Sequence, residues 1–125
     1  MTVEIKAPQD QARLEEILQK KIASKNYLSA IMLARTLRLP GERIRELQEK
    51  ALKQMAFEYR NAIAVRNLAQ EWGFSRTDLA DILKNGLKEY EDISEKKRLE
   101  QAYDISSCRY LTARQWVEQL LSRMK

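Results

Sequence analysis

The chain is expected to be all-α, a compact bundle or short array of about six to seven helices arranged as successive helical hairpins. Three observations predict this class. Apolar residues recur at spacings of three and four, as in Leu14, Ile17, Leu18 and Ile22, which is the period of one helix face. Only three glycines and two prolines punctuate 125 residues, which fits long helices joined by short turns. No stretch alternates apolar and polar residues as a half-buried strand does.

Residues 1–9, Pro8 among them, read as a flexible arm ahead of a single helical domain, 10–125. Asp10 is a candidate N-cap for a first helix reaching about residue 24. The second helix, about Asn26 to Arg38, is apolar nearly all round, with Leu28, Ala30, Ile31, Met32, Leu33, Ala34 and Leu37; such a helix belongs in the centre of a bundle. Pro40 and Gly41 interrupt the pattern, and proline suits the first turn of the next helix because its missing N–H has no partner there. The third helix runs to about Met55 on a face of Ile44, Leu47, Ala51, Leu52 and Met55. No breaker separates it from Ala56, Phe57 and Tyr59, so the fourth helix either follows a bend or continues the third; it carries Ile63, Val65, Leu68, Ala69 and Trp72.

Gly73 can end the fourth helix in a left-handed conformation. Ser75 and Asp78 then have capping-box spacing, with an acid in place of the usual Glu or Gln. The fifth helix follows with Leu79, Ile82, Leu83, Leu87 and Tyr90. Gly86 is either its C-cap or a point where another helix approaches closely, and the regular apolar spacing through it favours the second reading. A sixth helix is expected from a Ser94 cap through Leu99, Ala102 and Tyr103. The seventh starts at a second capping box, Thr112 to Gln115, and buries Trp116, Val117, Leu120, Leu121 and Met124.

The stretch NLAQEWGFSRTDLADILK, residues 67–84, resembles the helix-turn-helix family of DNA-binding modules. Leu68, Ala69, Gly73, Phe74, Ser75, Leu79, Ile82 and Leu83 fit its pattern. The resemblance implies a second helix lying in the major groove, with Arg76, Thr77, Ala80, Asp81 and Lys84 facing the bases. The matching residues are also those that any tight helical hairpin uses for packing, turn and cap. Asp78 and Asp81 bring negative charge close to where phosphates would lie.

A shift of 35 residues lays the chain over itself. Asn26 falls on Asn61, Leu33-Ala34 on Leu68-Ala69 and Leu52-Lys53 on Leu87-Lys88, while Leu28, Leu37, Leu39, Ile44 and Leu47 meet Ile63, Trp72, Phe74, Leu79 and Ile82. A weaker third copy, shifted by 37, puts Leu111-Thr112 on Phe74-Ser75 and Trp116 on Leu79. The period is similar to that of helical-repeat proteins such as tetratricopeptide arrays, although the tryptophan, glycine and tyrosine consensus of that family is missing.

The net charge is +5, unevenly spread. Lys20, Lys21, Lys25, Arg35, Arg38, Arg43 and Arg45 face a single acid, Glu42, across residues 20–45, so this window holds more than the whole net charge. Glu89, Glu91, Asp92 and Glu95 form an acidic run. A basic surface attracts nucleic acid or an acidic protein, and the two patches together are compatible with a homo-oligomer. The chain has no histidine and one cysteine, Cys108, read as a small half-buried hydrophobe rather than a reactive thiol. Without histidine, most acid–base enzymes and zinc sites are disfavoured, and no catalytic residue, metal or cofactor is expected. The longest apolar runs are far short of a membrane span, and the chain reads as cytoplasmic. The expected function is a non-enzymatic helical interaction module using the basic window; the alternative is a helix-turn-helix DNA binder reading bases with Arg76, Thr77, Asp81 and Lys84.

Overall fold

The computed structural model describes residues 8–124, with side chains from Asp10 onward. Its described elements are α1 (Pro8–Ala23), α2 (Tyr27–Thr36), α3 (Gly41–Phe57), α4 (Ala62–Glu71), α5 (Arg76–Ile93), α6 (Glu95–Leu99), β1 (Gln101–Asp104), β2 (Arg109–Thr112) and α7 (Ala113–Arg123). The fold is mainly helical, with one small two-stranded sheet. Most of the expected arm lies outside the described residues, and α1 begins within it at Pro8.

The chain divides into two compact units, Met1–Ala51 and Leu52–Lys125, the division falling inside α3. In the first unit α1 packs on α2, and Leu18, Ala30, Ile31, Ala34, Leu37 and Leu47 are buried. In the second unit α5 packs on α7 over a core that includes Leu79, Leu83, Trp116, Val117 and Leu120. Arginines tie both ends of this pair. At one end Arg76 Nε donates to the Met124 carbonyl at 3.0 Å and a terminal nitrogen of its guanidinium to that of Leu121 at 3.1 Å. At the other, Arg114 holds Glu91 through two nitrogens. The first contact supplies donors to carbonyls that a helix C-terminus leaves unpaired.

Both capping boxes form as read. Ser75 Oγ accepts from the Asp78 N–H at 3.1 Å while Asp78 accepts from the Ser75 N–H at 3.2 Å, and Thr112 and Gln115 do the same at 3.2 and 2.9 Å. Gly86 is interior to α5 and buried. A Cβ there would stand 2.6 Å from Phe57 Cε2 and 3.2 Å from Lys53 Cγ, so the glycine marks a close approach of α3. The Phe57 ring is itself stacked on Tyr90, centroids 5.7 Å apart. Gly86→Val is therefore expected to destabilise the protein by about 1–3 kcal/mol through overpacking, despite the better helix propensity of any residue over glycine. Urea denaturation measures this, and an unchanged midpoint would refute the close approach.

The 35-residue offset holds at the level of the backbone. It carries Tyr27–Thr36 onto Ala62–Glu71 and the first residue of α3, Gly41, onto that of α5, Arg76. Both first helices end in the same Schellman motif: Arg38 N–H donates to Arg35 O and Leu39 N–H to Ala34 O, matched by Gly73 to Gln70 and Phe74 to Ala69. The left-handed residues correspond as well, Lys25 (φ 60°) with Arg60 (φ 50°) and Arg38 (φ 54°) with Gly73 (φ 74°).

Three sequence expectations are corrected. The sixth helix stops at Leu99, and Ala102 and Tyr103 lie instead in an antiparallel hairpin pairing Tyr103 with Tyr110 and Asp104 with Arg109. Strands of four residues are too short for alternation to show, and they are held by a local device: one Asp104 oxygen accepts from Ser106 Oγ, Ser107 N–H and Ser107 Oγ, closing the loop. Cys108 is exposed in that loop, at φ 56°, rather than half-buried. The second helix is not buried all round: Met32 is 70% exposed and Leu28 41%, because only the Ala30–Ile31–Ala34 side of α2 is covered.

Candidate interaction surfaces

All seven residues of the basic window fall in the first unit. Lys20 and Lys21 occupy the last turn of α1. Lys25 stands in the α1–α2 turn, Arg35 on α2, Arg38 in the Schellman turn that follows, and Arg43 and Arg45 near the start of α3. Every one is exposed except Lys21, which is half-buried. Lys20 meets Glu16 at 3.7 Å, a fully solvated pair worth little. Among the described residues, Arg35, Arg38 and Arg43 have no carboxylate partner. The positive charge is concentrated in residues 20–45, where Glu42 is the single acid, and the unit as a whole carries more acids outside that stretch.

Arg38 holds a left-handed backbone conformation in which an L side chain is crowded against its own carbonyl, a cost of about 1 kcal/mol. Glycine occupies the matching place in the second copy, Gly73. Arg38→Gly is accordingly expected to stabilise the folded protein by roughly 0.5–1 kcal/mol while removing a surface charge. Thermal denaturation reads the sign, and a loss of stability would mean that the Arg38 side chain has a folding role.

In the second unit the helix-turn-helix stretch forms α4, a tight turn and α5. Thr77, Asp81 and Lys84 are exposed on α5, whereas Ala80 is buried, so the groove-facing set implied by the resemblance loses that member. Arg76 is committed to the end of α7. The acidic run is drawn into internal pairs: Glu89 with Lys53 at 3.1 Å, Glu95 with Arg98 at 3.5 Å, and Glu91 with Arg114.

Asp104 is the most elaborated polar centre among the described residues, and sequence reasoning missed it. Besides the loop donors it accepts from Gln119 Nε2 at 2.9 Å, which pins the hairpin to α7, and Ser106 in turn receives Arg123 at 3.0 Å. Hydrogen bonds, that from the Ser107 hydroxyl foremost and that from Gln119 next, hold its carboxyl down to about 2 from 3.8. A carboxyl depressed in the folded state stabilises above its unfolded value and loses that contribution as the pH falls. The hairpin is expected to lose roughly 1 kcal/mol between about pH 4 and 2, the figure being reduced for solvent screening. Asp104→Ala should abolish this pH dependence, read from tyrosine fluorescence of the Tyr103–Tyr110 pair.

No group of three His, Cys, Asp or Glu among the described residues could hold a metal ion, and no described helix is long and apolar enough to cross a membrane. A scan against protein-family models and searches of curated proteins and of solved structures return no match.

Proposed function

We propose that the chain is a non-enzymatic helical interaction module of helical-repeat type, whose first unit offers Lys20, Lys21, Lys25, Arg35, Arg38, Arg43 and Arg45 to an acidic protein or a nucleic acid. The observation that carries this reading is the basic character of one stretch of that unit: seven basic residues against the single acid Glu42 across residues 20–45, six of the seven exposed. Such a surface raises the local concentration of anionic partners and speeds their association.

The helix-turn-helix alternative is supported less. Its strongest candidate base reader, Arg76, is engaged with backbone carbonyls, Asp81 would face phosphates, and the hairpin shares its turn geometry with the 27–57 segment.

The test is a titration of the protein with a labelled oligo-glutamate and with labelled duplex DNA at rising salt. Binding of at least one probe at low salt, with affinity falling steeply as salt rises, is the expected result. Failure of both probes to bind at low salt would refute the reading. Sensitivity to Arg76→Gln and Lys84→Gln, without sensitivity to changes in the basic window, would restore the alternative.

A further inference from the structure

Helix α2 is apolar on two sides, and only one side is covered. Ala30, Ile31 and Ala34 are buried, while Leu28 and Met32 are exposed on the opposite side with Arg35. Spacings of four and three put these three side chains in one stripe, spanning about 10 Å along the helix axis at 1.5 Å per residue. The turns at its two ends hold Lys25 and Arg38. Ile63, the counterpart of Leu28 in the second copy, is likewise exposed, at 65%, so an outward aliphatic residue at this place is a feature of both copies.

Leu28 and Met32 share their helix face with Arg35, a cation with no carboxylate partner among the described residues, so this face sets apolar surface beside positive charge. Methionine in particular adapts its shape to an apolar partner. The chemistry also discriminates between anions. A phosphate backbone gains nothing from Leu28 and Met32, and α2 offers no exposed aromatic ring for a base to stack on. A helix with apolar residues on one side and carboxylates on the other matches both halves of the stripe, its apolar residues over Leu28 and Met32 and its acids toward Arg35 and Arg38.

We infer that the partner of the first unit is an acidic amphipathic helix of another protein, seated along Leu28, Met32 and Arg35 of α2. This inference rests on the basic-module reading and adds the partner's chemistry to it.

The experiment compares four labelled probes against the full chain: a synthetic amphipathic peptide of about 20 residues with leucine on one helical face and glutamate elsewhere, an oligo-glutamate of equal charge, a single-stranded DNA oligonucleotide and a duplex one. The amphipathic peptide is expected to bind about tenfold or more tighter than oligo-glutamate. The double variant Leu28→Ser, Met32→Ser should remove that advantage while leaving oligo-glutamate binding unchanged. Because both residues are exposed, the variant is expected to fold, which circular dichroism verifies.

Equal binding of the two peptides, or a preference unaffected by the double variant, would overturn the amphipathic partner and leave the basic module standing. Tighter binding of either DNA would also overturn it, in favour of nucleic acid. Self-association of the protein alone that the double variant abolishes would overturn it in favour of a second copy. If no probe binds, the inference and the basic-module reading fall together.

Discussion

Arg35→Glu, Arg38→Glu and Arg43→Glu, combined in one variant, are expected to weaken binding of an acidic probe by about 100-fold at low salt. The magnitude follows from their exposure. A single solvated pair contributes up to about 1 kcal/mol, and reversal replaces each attraction by a repulsion, so three reversals sum to roughly 3 kcal/mol or a little more than two decades. The same screening that limits each pair predicts that the effect shrinks as salt rises. Fluorescence anisotropy at two salt concentrations measures both. Folding should be little affected, because these side chains make no described ion pair; Arg38→Glu keeps the left-handed strain that Arg38→Gly relieves. Unchanged affinity at low salt would show that the charge of this unit is only a solvated surface.

The largest effect on stability is expected at Trp116. Its side chain is 3% exposed and belongs to the core of the second unit with Leu79, Leu83, Val117 and Leu120. Trp116→Ala removes the transfer free energy of an indole and leaves a cavity that the surrounding helices fill only in part, for a cost of about 3–5 kcal/mol. A domain of this size has about 5–15 kcal/mol to lose, so a large lowering of the denaturation midpoint is expected. Met32→Ser, also a large apolar residue cut back on a helix, should change stability by no more than about 0.5 kcal/mol because Met32 is already in water. Urea titrations of the two variants make the comparison. Similar losses in both would contradict the exposed placement of Met32.

The helices were legible where local chemistry decides the structure. Ser75–Asp78 and Thr112–Gln115 announce helix starts because their side chains satisfy the first unpaired N–H groups, and Gly86 could be read as a close approach because the apolar spacing runs through it. The 35-residue correspondence of helix bounds and turns was legible because matching positions carry the same residue types, whereas the third copy is not matched, since a shift of 37 puts α4 on the β1–β2 hairpin. The hairpin of residues 101–112 was not. Its strands are short, its Ala102 and Tyr103 continue a helical spacing from Leu99, and its stability depends on Asp104 meeting Gln119 of α7, a contact fifteen residues away in sequence.

The candidate surface was half legible. Charge is a property of composition and can be located along the chain, so the basic window was visible at once. Exposure of Leu28 and Met32 was not, since hydropathy cannot distinguish an apolar side chain that is covered from one that stands in solvent. The contacts of Arg76 were not legible for a related reason: its partners are backbone carbonyls of Leu121 and Met124, which no local pattern reveals.

Binding is assigned to the first unit, and backbone NMR of the protein titrated with the acidic amphipathic peptide is its test. Shifts are expected in the α1–α2 turn, along α2 at Leu28, Met32 and Arg35, and around Arg38 and Arg43. Shifts confined instead to Arg76–Lys84 of α5, or spread over no defined surface, would contradict it.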